Sequence, residues 1–215
     1  MPCNCCEITD NAFSSEEARS ELKRYRRKGP ANQTKLLLSA IHSLGLKNAD
    51  LLDIGGGIGV IHHELLGEVA AKAIHVDASS AYLNEARKEA SQRGHGDLVQ
   101  FIHADFTDVA SDLPPVDIVT LDRVVCCYPD FRRLLNAAAE HSRQAIAMTY
   151  PRETWYLHLA LRVMNFIQRL RRDPFRVFLH PVSEMDALLR EEGFTRVTFR
   201  RLFVWEMALY QRSAV

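Results

Sequence analysis

The sequence predicts a doubly wound α/β fold: a mainly parallel seven-stranded sheet with an antiparallel C-terminal strand and helices on both faces. Three observations carry this expectation. Between Asp50 and Thr149, short apolar runs of strand length alternate with stretches of helical periodicity. The first run ends in the cluster Gly55-Gly56-Gly57-Ile58-Gly59 and passes straight into an amphipathic stretch carrying Val60, Ile61, Leu65 and Leu66. Near the other end, residues 194–201 and 203–211 alternate like an antiparallel strand pair.

In chain order, Ser14-x-x-Glu17 has the capping-box pattern and opens a charged helix to about Lys28, which Gly29-Pro30 breaks. A helix over 31–44 follows, with Leu36, Leu37, Ala40, Ile41 and Leu44 on one face and Gly45 at its end. Strands are expected at 50–54, 73–77, 98–103, 116–121 and 144–149. Helices between them run from the glycine cluster to about Gly67, from a Ser79 or Ser80 cap to Gly94, and onward from Pro129-Asp130. Tyr150-Pro151 then interrupts the alternation. Residues 155–170 read as a long helix whose apolar face carries Trp155, Leu159, Val163, Phe166, Ile167 and Leu170, edged by His158, Arg162, Asn165 and Arg169. Ser183 is expected to cap the last helix, which stops at Gly193. The expected organisation is a single domain: a helical cap (1–45), the sheet core (46–150), a lid-like insertion (151–182), then the last helix and strand pair (183–215).

Composition narrows the function classes. The chain has 215 residues, 47% hydrophobic and 25% charged, enough for one well-packed domain. Lys+Arg and Asp+Glu balance at 27 each, so no global basic excess argues for nucleic acid. The opening Cys3-Asn4-Cys5-Cys6-Glu7 is not the apolar run of an export signal, and Arg162 and Arg169 interrupt the most apolar helix, so no transmembrane segment is expected. A cytoplasmic protein with free thiols is the expectation. Cys3, Cys5 and Cys6 with Cys126 and Cys127 would suit a soft metal or metalloid, but C-x-C-C lacks the paired spacing of a zinc knuckle, and no metal is assigned.

Asp53, Asp77, Asp105 and Asp122 fall at four successive strand ends, where doubly wound sheets bind ligands. A dinucleotide fingerprint beginning at Gly55 would require glycine or alanine at Val60, so the dinucleotide register is absent. Asp53-x-Gly55-x-Gly57-x-Gly59, the strand-end Asp77, Ala104-Asp105-Phe106 and Asp117-Ile118-Val119-x-Leu121-Asp122 together resemble a class I S-adenosylmethionine-dependent methyltransferase over about residues 50–149. The resemblance implies a Rossmann-like core, S-adenosylmethionine as methyl donor and S-adenosylhomocysteine as product. It implies a cofactor site at Asp53, Gly55, Gly57, Gly59, Asp77, Ala78, Asp105, Phe106 and Asp122. Within that site Asp77 holds the ribose diol, Asp105 accepts from the adenine amine and Phe106 covers the ring.

A narrower likeness is to the magnesium-protoporphyrin O-methyltransferase branch, carried by residues 121–129 and the late insertion. That branch places an active-site histidine before its Tyr-Pro pair; here Cys127 precedes Tyr128-Pro129. Methyl transfer is an in-line displacement that depends on alignment and exclusion of water, with a base only where the acceptor must lose a proton. The candidates near the reacting centre are Tyr25, Cys127, Tyr128 and Tyr150. Arg152, Trp155, Arg176 and His180 are the candidates on the acceptor side, and the insertion is expected to form a lid, the rival being a homodimer or membrane-surface contact through its apolar face. Arg26 or Arg27 could meet the cofactor's carboxylate, and Asp77→Ala is expected to weaken cofactor binding far more than folding. The leading reading is methyl transfer to a small organic molecule. The alternatives are an RNA or protein methyltransferase and a non-catalytic protein that binds the cofactor for regulation or assembly.

Overall fold

The computed structural model describes residues 8, 10 and 12–213. The chain enters through α1 (Ser15–Lys28), where Ser14 and Glu17 complete the capping box, and α2 (Asn32–His42). The alternating core follows as β1 (Ala49–Ile54), α3 (Val60–Leu65), β2 (Ala70–Asp77), α4 (Ser80–Arg93), β3 (Val99–His103), the single turn α5 (Phe106–Val109), β4 (Val116–Asp122), α6 (Phe131–His141) and β5 (Ser142–Pro151). The chain closes with α7 (Trp155–Leu170), α8 (Val182–Glu191), β6 (Phe194–Arg201) and β7 (Trp205–Arg212).

The seven strands form one sheet in the order β3-β2-β1-β4-β5-β7-β6. All neighbouring pairs from β3 to β5 are parallel, and β7 runs against both β5 and β6. Side-chain alternation splits the core into two layers. Leu52, Val119, Ile146 and Met148 face α6 and α8, while Leu51, Ile118, Ala145 and Ala147 face α2 and α3. The sequence direction reverses between β1 and β4, and a crevice opens at their carboxyl ends.

Three local expectations are corrected. β5 continues through Tyr150 and Pro151, because both still pair with β7, opposite Glu206 and Trp205. The helix after the glycine cluster is short and ends at Leu65, two residues before Gly67. The last helix begins at Val182 with Pro181 at its cap, so Ser183 lies inside its first turn. The Cys3, Cys5 and Cys6 cluster lies outside the described residues.

Candidate active site

A cavity of about 480 Å³ fills the crevice. Its floor is built from the carboxyl ends of successive strands: Ile54 and Gly55 after β1, Val76 and Asp77 in β2, Asp105 after β3, and Asp122 and Arg123 at β4. Its roof is apolar, with Leu157, Leu161 and Met164 from α7 and Phe175 and Val177 from the strand-like segment beyond it. Phe13 closes one end, with its ring edge-on to both Tyr82 (5.7 Å) and Phe175 (5.2 Å).

The floor is held by hydrogen bonds that start from the acids. Asp77 accepts from the Gly57 amide (2.8 Å) and the Ser79 amide (2.7 Å), tying the glycine turn to the start of α4. Burial pushes its carboxyl pKa up to about 6, against the pull of those two donors. Asp105 accepts from the Thr107 amide and from the Tyr128 hydroxyl, both at 3.0 Å, and caps α5. Burial first, and then the neighbouring carboxylate, raise the Tyr128 hydroxyl to about 12. Asp122 accepts from the Thr34 hydroxyl at 2.6 Å and from Thr149. Gly55 and Gly57 take left-handed backbone angles, φ 60° and 58°, and both leave their α-carbons bare along the cavity.

Of the residues expected to bind the cofactor, Gly55, Gly57, Asp77, Ala78, Asp105, Phe106 and Asp122 line the cavity. Asp53 and Gly59 do not. Asp53 is wholly buried behind the turn, accepting from Thr120 Oγ1 at 2.8 Å and lying 3.3 Å from His62 Nδ1. Gly59 starts α3 with its bare α-carbon against His62 and His63. His62 and His63, both on α3, are buried with His75 beneath the turn. His75 Nδ1 is 3.3 Å from His62 Nδ1, and the Nε2 atoms of all three rings have no hydrogen-bond partner among the described residues. Burial drives their pKa values down to about 3 for His62, 2 for His63 and 3 for His75.

Of the candidates around the reacting centre, Cys127 and Tyr128 line the cavity and Tyr25 and Tyr150 do not. Tyr25 packs with Leu22 and Ile58 and donates to Glu64 at 2.5 Å, under the Arg93 guanidinium. Tyr150 is a core side chain among Met148, Met185 and Tyr210, because its place in β5 points it into the α6/α8 layer. Cys127 and Cys126 sit with their sulfurs 3.8 Å apart. That contact lowers the Cys127 thiol and raises the Cys126 thiol.

None of the four acceptor-side candidates lines the cavity. Arg152 is turned to the β6–β7 end, 3.7 Å from Glu206. Trp155 is 78% exposed on the outer face of α7. Arg176 closes its own turn onto the Asp173 and Phe175 carbonyls. His180 Nε2 lies 2.9 Å from the Tyr128 carbonyl oxygen, so it positions the Cys127–Tyr128 segment from outside. Arg26 is likewise engaged elsewhere, with Glu89 (2.8 Å).

The lining residues missed in the sequence include Glu21, Tyr82, Arg123 and the α7 trio Leu157, Leu161 and Met164. Arg123 is the only cation among the described lining residues. It adopts a left-handed backbone (φ 66°), and its guanidinium meets Glu21 at 2.9 Å and Asp122 at 3.9 Å. Its signal in the sequence was its place directly after the fourth strand-end acid.

Residues 51–145 match a family model described as a methyltransferase domain. Over 94 residues the chain is 33% identical to the tRNA 5-carboxymethoxyuridine methyltransferase of Escherichia coli K12, a stretch covering 43% of this chain and 36% of that protein. The crystal structure of magnesium protoporphyrin IX methyltransferase from Synechocystis PCC 6803 with bound S-adenosylhomocysteine superposes with a TM-score of 0.73 at 19% identity, covering 98% of this chain and 100% of that one. An O-methyltransferase family protein from Burkholderia thailandensis superposes with a TM-score of 0.67 at 18% identity, over 94% of this chain and 64% of that one.

Proposed function

We propose that this chain, whose residues 51–145 match a methyltransferase-domain model, transfers the methyl group of S-adenosylmethionine to a small, largely apolar organic acceptor held under α7. The observation that carries the reading is the division of one cavity into a polar floor and an apolar roof.

The floor suits the donor. Bare α-carbons at Gly55 and Gly57 admit close backbone approach, and Asp77 and Asp105 keep acceptor capacity beyond their present partners. When bound, S-adenosylmethionine supplies a methyl group on a positively charged sulfur. Asp77 would hold the ribose diol, Asp105 the adenine amine, and Phe106 the face of the ring. Arg123, paired with Glu21, would supply the positive charge facing the donor's carboxylate.

The roof suits an acceptor with an apolar body. Leu157, Leu161, Met164, Phe175 and Val177 exclude water above the floor, which favours displacement at a charged sulfur. Tyr128 is a hydrogen-bond donor committed to Asp105 rather than a base. Cys127, with its lowered thiol, is the lining group best placed to orient or accept an acceptor proton; a carboxylate acceptor would need no such help.

The domain-level likeness to a tRNA methyltransferase supports a second reading, RNA as acceptor. Against it stand the balanced charge and the roof over the cavity. A direct experiment decides. S-adenosylhomocysteine should bind in calorimetry while NAD does not, and radiolabelled donor should transfer methyl to members of a pool of apolar carboxylates, phenols and thiols. Transfer to bulk tRNA and to none of the pool would replace this reading with the second. Donor binding with no transfer to either would favour a non-catalytic role.

A further inference from the structure

The outer face of α7 is an apolar surface that the fold does not use. Trp155, Leu159, Val163, Phe166, Ile167 and Leu170 recur at helical spacing on it, and each is between 43% and 78% exposed. A contiguous stripe of this kind marks a docking surface. The same helix presents its opposite face, Leu157, Leu161 and Met164, to the cavity, so the stripe is surplus to the fold.

Charge identifies the occupant. No Asp or Glu occurs from Thr154 to Arg172, whereas Arg162, Arg169, Arg171 and Arg172 are all exposed. At 100° per residue, Arg162 and Arg169 fall on one flank of the stripe, placed to extend past an apolar contact. A second copy laid along the stripe would bring these arginines together with no carboxylate on the segment to pair them. An anionic lipid surface would pair all four. At the helix N-terminus, Trp155, Tyr156 and the exposed Phe203 form an aromatic group, with ring centroids 6.0 Å and 5.9 Å apart. Amphipathic aromatics at one end and basic flanks are the features of a helix that lies in a bilayer interface. The helix has 16 residues, about 24 Å at 1.5 Å per residue, short of the roughly 30 Å hydrocarbon core. No helix among the described residues is long and apolar enough to cross a membrane, so this one would lie on the surface.

We propose that α7 docks the protein on anionic membranes through its outer stripe, leaving the cavity between the lipid surface and the carboxyl edge of the sheet. Co-sedimentation with phosphatidylcholine vesicles, with and without phosphatidylglycerol, tests it. The wild-type chain should pellet with phosphatidylglycerol vesicles and release as salt rises. The double variant Phe166→Ser/Leu170→Ser should lose binding at least tenfold, and Arg162→Gln/Arg169→Gln should lose roughly tenfold on anionic vesicles alone. Both variants should keep the wild-type melting temperature and S-adenosylhomocysteine affinity, which separates lost docking from lost fold. The proposal is overturned by absence of pelleting, by equal pelleting with neutral vesicles, or by pelleting that neither variant reduces. It is equally overturned if light scattering shows a dimer that Phe166→Ser/Leu170→Ser dissociates, for then a second copy covers the stripe.

Discussion

At the scale of single residues, Asp77 is the group whose chemistry reaches furthest. Its carboxylate holds Gly57 and Ser79 in place, so truncation to alanine would leave two amides, that of Ser79 buried, without an acceptor. The expectation that Asp77→Ala spares the fold therefore gives way to a cleaner substitution. Asp77→Asn retains an amide oxygen as acceptor and removes the charge, and it should raise the S-adenosylhomocysteine dissociation constant about tenfold with a melting shift of only a few degrees. The pH dependence has a definite sign. The folded pKa of about 6 lies above the ordinary aspartate value, so the carboxylate protonates as pH falls through 6. If Asp77 holds the diol as a charged acceptor, affinity should drop between pH 7 and 5 in the wild type and stay flat in Asp77→Asn; equal slopes in both would remove Asp77 from the site. This residue was legible because an acid at a strand end has few other uses. Tyr25 and Tyr150 were not, because a tyrosine packs as readily as it reacts and only tertiary placement distinguishes the two. Arg123 offered only its place after Asp122, because its pairing with Glu21 on α1 is set by a distant part of the chain.

At the scale of elements, the glycine turn and α7 show what periodicity can and cannot say. The turn was legible because its glycines answer local demands. A β-carbon at Gly55 would lie 2.5 Å from Val124 Cγ2, on a backbone at φ 60°. Gly55→Ala should therefore cost at least about 1–2 kcal/mol from the left-handed conformation alone, with the Val124 collision added, and denaturant unfolding would measure it. A loss under half a kcal/mol would mean that the turn is softer than its geometry. For α7 the sequence located the helix from Trp155 to Leu170 but not its orientation. Apolar residues occupy two faces, and the wider one, with Trp155, is outside. The narrower one, Leu157, Leu161 and Met164, roofs the cavity. Under the proposed function, Leu161→Ala should lower acceptor turnover at least fivefold with little change in S-adenosylhomocysteine affinity. Trp155→Ala should change neither, and the reverse ranking would return the outer face to the acceptor site.

At the scale of the whole molecule, the parallel run was legible in the alternation of short runs and helical stretches, and the antiparallel end in the two alternating runs at 194–201 and 203–211; the strand order was not. What hydropathy could not show is that the glycine turn rests on a buried polar cluster. His62, His63 and His75 sit with Asp53 beneath it, neutral and shielded from water. In the unfolded chain each histidine would take up a proton near pH 6.5, while the folded values lie at about 3, 2 and 3. Between those limits the unfolded state binds more protons, so stability present above pH 6.5 is lost as the solution is acidified. Asp77 and Asp53 act in the opposite sense, because burial raises both and the folded state takes up their protons first. Three histidines against two acids leave a net loss, on the order of a few kcal/mol from pH 7 to 5, a large share of an ordinary domain's stability. The melting temperature should therefore fall steeply over that range. In His75→Gln, where one of the three protons is removed from the balance, the slope should be measurably shallower, whatever the variant's stability at pH 7. Parallel melting curves for the two proteins across pH 7 to 5 would show that the buried rings are protonated in the fold, and that the turn rests on charge rather than on a neutral packed layer.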